Sequence, residues 1–179
     1  MKKLVFIITA YILLSSCVNN KSKDVNNSSK DKSLKIESPC SLVSEAEIKE
    51  ILSLPQDAVT TKEDVDYTYP TCSYEWETLM YVKNMTMSGQ ELELEYPYKL
   101  MIVLVANADD SMFEQSTVVY KDGENIAGLG EMATWGDSMS QLTFLSGGSM
   151  IHLNLKISDN ANENKEKAIK LAKLIEERL

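Results

Sequence analysis

Apolar positions along the chain change period several times, and each change marks a predicted element. Ser44-Glu45-Ala46-Glu47 matches a capping box, in which the Ser side chain accepts from the N3 amide and Glu47 reaches back to the Ser44 amide. Ile48, Ile51 and Leu52 follow at helical spacing until Pro55 stops the run, so a short helix with one apolar face is predicted. At Cys72 the period becomes two: Cys72, Tyr74 and Trp76 alternate with Ser73, Glu75 and Glu77, which reads as a half-buried strand. Residues 79–87 continue it, Ser88-Gly89 turns, and Glu91, Glu93 and Glu95 alternate with Leu92 and Leu94. Residues 100–105 (LMIVLV) are continuously apolar, the pattern of a central strand covered on both faces.

Asn107-Ala108-Asp109-Asp110 offers a cap for a brief helix through Met112, Phe113 and Ser116. Lys121-Asp122-Gly123 and Gly128-Leu129-Gly130 are turn signals, the second expected to let Trp135 tuck into the core. Strands are predicted at 132–135, 141–145 and 150–157, with Gly147-Gly148 turning between the last two. In the last, Ile151, Leu153, Leu155 and Ile157 face one way, and His152, Asn154 and Lys156 the other. Residues 162–179 form a helical pattern with Ala168, Leu171, Ala172, Ile175 and Leu179 on one stripe and Lys173 and Glu177 on the opposite face. The expected fold class is α+β: an antiparallel sheet covered by an N-terminal short helix and a C-terminal amphipathic helix, with one disulfide.

The N-terminus changes this picture. Met1-Lys2-Lys3 precedes an apolar run of 11 residues, 4–14 (LVFIITAYILL), too short to span the roughly 30 Å of bilayer hydrocarbon as a helix. It reads as a signal peptide. Leu14-Ser15-Ser16-Cys17 then resembles the lipobox of bacterial lipoproteins. The resemblance implies cleavage after residue 16 and lipidation of Cys17 with a diacylglycerol thioether and an N-acyl chain such as palmitate. Several acyl chains on one residue meet the condition for stable anchoring. Residues 18–36 are rich in Asn, Ser, Lys and Asp and cannot bury enough surface to offset their chain entropy, so 17–36 is expected to be a lipidated Cys with a flexible tether and 37–179 a single α+β domain.

Charge narrows the partners. The 179 residues carry 18 basic and 27 acidic groups; without residues 1–16 the balance is 16 against 27, a net charge of -11. Residues 37–179 alone hold 11 against 25. Such a field repels a phosphate backbone, so no nucleic-acid partner is expected.

With Cys17 assigned to lipid, Cys40 and Cys72 remain as an even pair in an exported chain, and a disulfide is the natural inference. The rivals are a redox pair, which usually sits two residues apart, and a two-Cys metal site, which lacks the four ligands of structural zinc. Pro39-Cys40-Ser41-Leu42-Val43-Ser44, Cys72-Ser73-Tyr74-Glu75-Trp76, residues 128–135 and the C-terminal helix together resemble an uncharacterised group of small disulfide-containing bacterial envelope lipoproteins. That resemblance implies an extracytoplasmic domain with Cys40 paired to Cys72, and it brings no catalytic residues.

Candidate chemistry is sparse. His152 is the one histidine, so any triad, dyad or His-rich metal cluster rests on it, and its place on the outward strand face predicts a solvated or hydrogen-bonded side chain. Asp109-Asp110, Glu91/Glu93/Glu95 and Glu176-Glu177 are paired carboxylates, expected at solvated edges. Met85 and Met87 share a strand face at a spacing that soft Cu(I) uses, although core packing is the ordinary role of Met. Asp57, Asp64 and Asp66 fall in a polar loop without the pattern of a calcium-binding EF-hand. Gly128-Leu129-Gly130 lacks the third glycine and distal acid of a dinucleotide loop. Tyr67, Tyr69 and Pro70 offer an aromatic contact for a partner.

No cofactor, metal or catalytic residue is therefore expected. The sequence reads as a non-enzymatic, membrane-anchored envelope lipoprotein. Its partners are the membrane, through Cys17, and an envelope protein or small ligand. The runner-up is a carboxylate-based hydrolase of envelope polymers, which needs two carboxylates converging in a cleft. Val18-Asn19 lacks the Asp signal of inner-membrane retention, which points to the outer membrane.

Overall fold

A computed structural model of the chain describes residue 36 and residues 38–179. The expected signal peptide, Cys17 and all of the expected tether but Ile36 lie outside the described residues; Ile36 is half-buried against the core. The fold is α+β: a seven-stranded antiparallel sheet, three helices and one disulfide among the described residues.

After a 3₁₀ turn at Pro39–Ser41 comes α1 (Glu45–Leu52), and the capping box forms as the sequence predicts, Ser44 and Glu47 each satisfying the other's backbone amide. Ser53, in the left-handed region at φ 62°, ends the helix. The strands are β1 (Thr61–Asp66), β2 (Pro70–Met87), β3 (Gln90–Ala106), β4 (Gly123–Asn125), β5 (Met132–Gly136), β6 (Gln141–Ser146) and β7 (Ser149–Lys156). Two helices complete the fold, α2 (Asp110–Thr117) capped by Asp109 and α3 (Ala161–Glu176) capped by Asn160. The strand order is β1-β2-β3-β7-β6-β5-β4.

Strand pairing aligns the period-two apolar positions in rows across the sheet. Cys72 faces Ile102, which faces Leu153, then Leu142, then Trp135; a parallel row runs Leu104, Ile151, Phe144, Ala133. This face packs against α1 and α3, whose Ile48, Leu52, Ala168, Leu171, Ala172 and Ile175 are all buried, and it forms the main core. Roughly 1.5 to 3 kcal/mol per fully buried large side chain makes it the dominant stabilising term.

The second face is only partly covered. Val105, Met150 and Leu145 form a row closed by Phe113 and Met112 of α2. Beyond α2 the cover ends: Met101 is exposed, so the run at 100–105 is not covered on both faces along its length as its sequence suggests. Gly128-Leu129-Gly130 forms a turn in which both glycines have positive φ and Leu129 is buried, 2 % exposed; Trp135, on β5, is fully buried, as expected.

β1 departs from the polar loop expected there. Asp64 and Asp66 belong to this edge strand, and only Asp57 sits in a loop. Five of the six β1 residues are exposed, so its sequence carries no apolar alternation; backbone pairing to β2 makes it a strand.

Candidate functional site

Three regions carry functional potential: the β2–β3 hairpin, a cavity beside α2, and a cavity at the β4–β5 end. The hairpin outruns the sheet. β1 pairs with β2 over 70–75 and β7 pairs with β3 over 99–106, whereas β2 and β3 continue to pair with each other out to Met87 and Gln90. Residues 80–87 and 90–97 thus form a two-stranded arm, about 26 Å long at the usual rise per residue. A shift in register between Trp76 and Met80 sets it off from the sheet.

Residues directly opposite in an antiparallel pair share a face, so the pairing fixes which side chains stand together. One arm face holds Tyr81 and Tyr96, Lys83 and Leu94, Met85 and Leu92, and Met87. The other holds Glu91, Glu93 and Glu95 with Val82, Asn84 and Thr86. Along β3 the apolar face continues the core face past Tyr98. Tyr81 stacks on Tyr96, ring centroids 5.8 Å apart, and closes the base of the arm; its hydroxyl pKa is raised, first by burial. Towards the tip Leu92, Leu94 and Met87 stay exposed.

The cavity beside α2 measures about 210 Å³ and is lined by Tyr69, Val105, Met112, Gln115, Ser116, Met150 and His152. His152 is half-buried there and hydrogen-bonded, as its strand position predicts. Its Nδ1 lies 2.7 Å from Thr143 Oγ1, which lies 2.6 Å from Tyr120 Oη, and Gln141 Nε2 donates to Tyr120 Oη at 2.7 Å. Burial lowers the imidazole pKa below its ordinary value. The second cavity, about 290 Å³, lies against Phe113, Asn125, Ile126, Met132 and Thr134, with Glu131 its lone carboxylate.

Apart from the Glu91, Glu93 and Glu95 row, Asp109, Glu176 and Asp64 are brought to separate places. Asp109 caps α2, accepting from the Met112 amide at 2.9 Å; Glu176 accepts from the Gly130 amide at 2.9 Å; Asp64 accepts from Ser38 Oγ at 2.7 Å. No carboxylate lines the cavity beside α2. Among the described residues no three His, Cys, Asp or Glu side chains gather as a metal cluster. Cys40 and Cys72 are joined, tying the turn ahead of α1 to β2 with a Cα separation of 5.1 Å. Tyr67 and Tyr69 are exposed at the β1–β2 turn, and Tyr69 reaches the rim of the cavity.

Sequence reading identified every strand of the arm but not the arm, because nothing in residues 70–106 states where their neighbours stop. Tyr120 carries no sequence signal of its place, yet this buried residue holds Thr143 beneath His152. No helix among the described residues is long and apolar enough to cross a membrane. Comparison of the chain with protein-family models, with curated proteins and with solved structures finds no match.

Proposed function

We propose that the chain is an exported lipoprotein, anchored by acyl chains on Cys17 to the outer membrane, whose folded domain is a non-enzymatic binding module for an envelope protein. The observation that carries the binding role is the arm: an exposed apolar strip backed by a row of three glutamates, on a ribbon clear of the rest of the sheet. Isolated two-stranded ribbons are marginal in water, and covering one face with a partner removes that liability. Glu91, Glu93 and Glu95 favour a partner that is basic beside them and apolar where it meets Leu92 and Leu94. The lipobox and the Lys- and Asn-rich segment after it support the anchoring.

Anchoring is tested by cell fractionation of Cys17→Ser. The variant is expected in the soluble extract, and a variant that still sediments with membranes overturns lipidation. Binding is tested in cells by a photo-crosslinking residue at position 92. The expected result is a discrete protein adduct that weakens when Glu91, Glu93 and Glu95 become Gln. No adduct above that from a control position, Val59, which is exposed and distant in sequence, overturns the arm as the binding element.

A further inference from the structure

We propose that the cavity between α2 and the second face of the sheet is a binding site for monovalent copper, with the thioethers of Met112 and Met150 and Nε2 of His152 as ligands. All three residues line this one cavity. Met150 faces Val105 across the β3–β7 pairing and His152 faces Val103, so the two stand two residues apart on the same face of β7. That spacing puts their Cα atoms roughly 7 Å apart, a reach that two side chains converging on one ion span. α2 lies over them and contributes Met112, which packs against the same cluster as Met150.

The donor set selects the ion. Two thioethers and an imidazole are soft-to-borderline ligands that suit Cu(I), and no carboxylate lines the cavity to favour a hard cation. Met150 is 2 % exposed, so its sulfur gives up little hydration on binding. The histidine is held as ligating histidines usually are, with its other nitrogen engaged. Nδ1 is fixed on Thr143, itself fully buried and held by Tyr120, which Gln141 in turn contacts. Nε2 has no hydrogen-bond partner among the described residues.

This differs from the Met85/Met87 pair on the arm, which shares a strand face but has no histidine beside it. It is also independent of the arm as a protein-binding element. The test is an anaerobic titration of the full chain with Cu(I) against a chromophoric chelator, paired with methionine-methyl NMR using Ag(I) as a redox-inert probe. The expected result is one equivalent bound with a dissociation constant below about 1 µM. Met112→Leu, Met150→Leu and His152→Gln should each weaken binding by about tenfold or more, and Met85→Leu with Met87→Leu should leave it unchanged. Leu for Met conserves volume, so these variants keep the fold. Methyl shifts confined to Met112 and Met150 support the site. Weaker binding than micromolar, or methyl shifts at Met85 and Met87 instead, overturns it.

Discussion

Arg178 grips Glu47 with both arms of its guanidinium: Nη2 donates to Oε1 at 2.6 Å and Nη1 to Oε2 at 3.1 Å, while Nη1 also donates to the Leu42 carbonyl at 2.7 Å. Glu47 is the same carboxylate that closes the capping box of α1, so the end of the chain is tied to the start of the domain. The Arg178 hydrogen bonds, then those from Ser44, hold the Glu47 carboxyl down to about 2 from its ordinary 4.5.

A carboxyl with a lower pKa in the folded chain than in the unfolded one contributes stability above the unfolded value and loses it as pH falls towards the folded value. Wild type should therefore lose this contribution between 4.5 and about 2. Glu47→Gln keeps a capping side chain but removes the charge, so it should be less stable near neutrality and show a shallower loss across that acid window. Urea unfolding at several pH values measures this; parallel curves would remove Glu47 from the account.

Removing the Cys40–Cys72 link should cost about 3 to 4 kcal/mol, the chain-entropy value for a closed loop with a sequence separation of 32. The Cys40→Ser/Cys72→Ala double variant measures the effect, because Cys72 is fully buried, where a Ser hydroxyl would add a desolvation cost of its own, and a single substitution leaves a free thiol. Equilibrium urea unfolding of the oxidised wild type against the variant gives the difference, and a loss below 1 kcal/mol would contradict the entropic estimate.

Gly130 has φ +57°, and a Cβ built on it runs into the Leu145 carbonyl oxygen. That carbonyl already accepts from the Glu131 amide at 2.8 Å and has little freedom to move. Gly130→Ala should destabilise by at least about 2 kcal/mol. Gly128 also has positive φ, but open space surrounds its Cβ position, so Gly128→Ala should cost only about 1 kcal/mol. Thermal unfolding of the two variants should rank them in that order.

The arm should open independently of the sheet. Its amides at 80–87 and 90–96 pair only with each other among the described residues, whereas Leu100, Ile102 and Leu104 lie under the main core. Native-state hydrogen exchange should show low protection in the arm, with a step between Trp76 and Met80 where the register shifts. Uniform protection along β2 would show that the arm belongs to the global unfolding unit.

Local pattern made much of this protein legible. The Ser44–Glu47 box, the alternation from Ile151 to Ile157 and the stripe from Ala168 to Ile175 each encode an element within a few neighbouring residues, and each formed as read. The α+β class followed from their order. Tertiary structure decided what those signals do not contain. β1 is a strand because β2 offers it a backbone edge, the arm exists because β1 and β7 end early, and Met112 meets Met150 and His152 because α2 folds over the second face. Side-chain period reports which residues share a face. Where a face finds its cover depends on chain reversals and strand order, which are set by contacts between residues far apart in sequence.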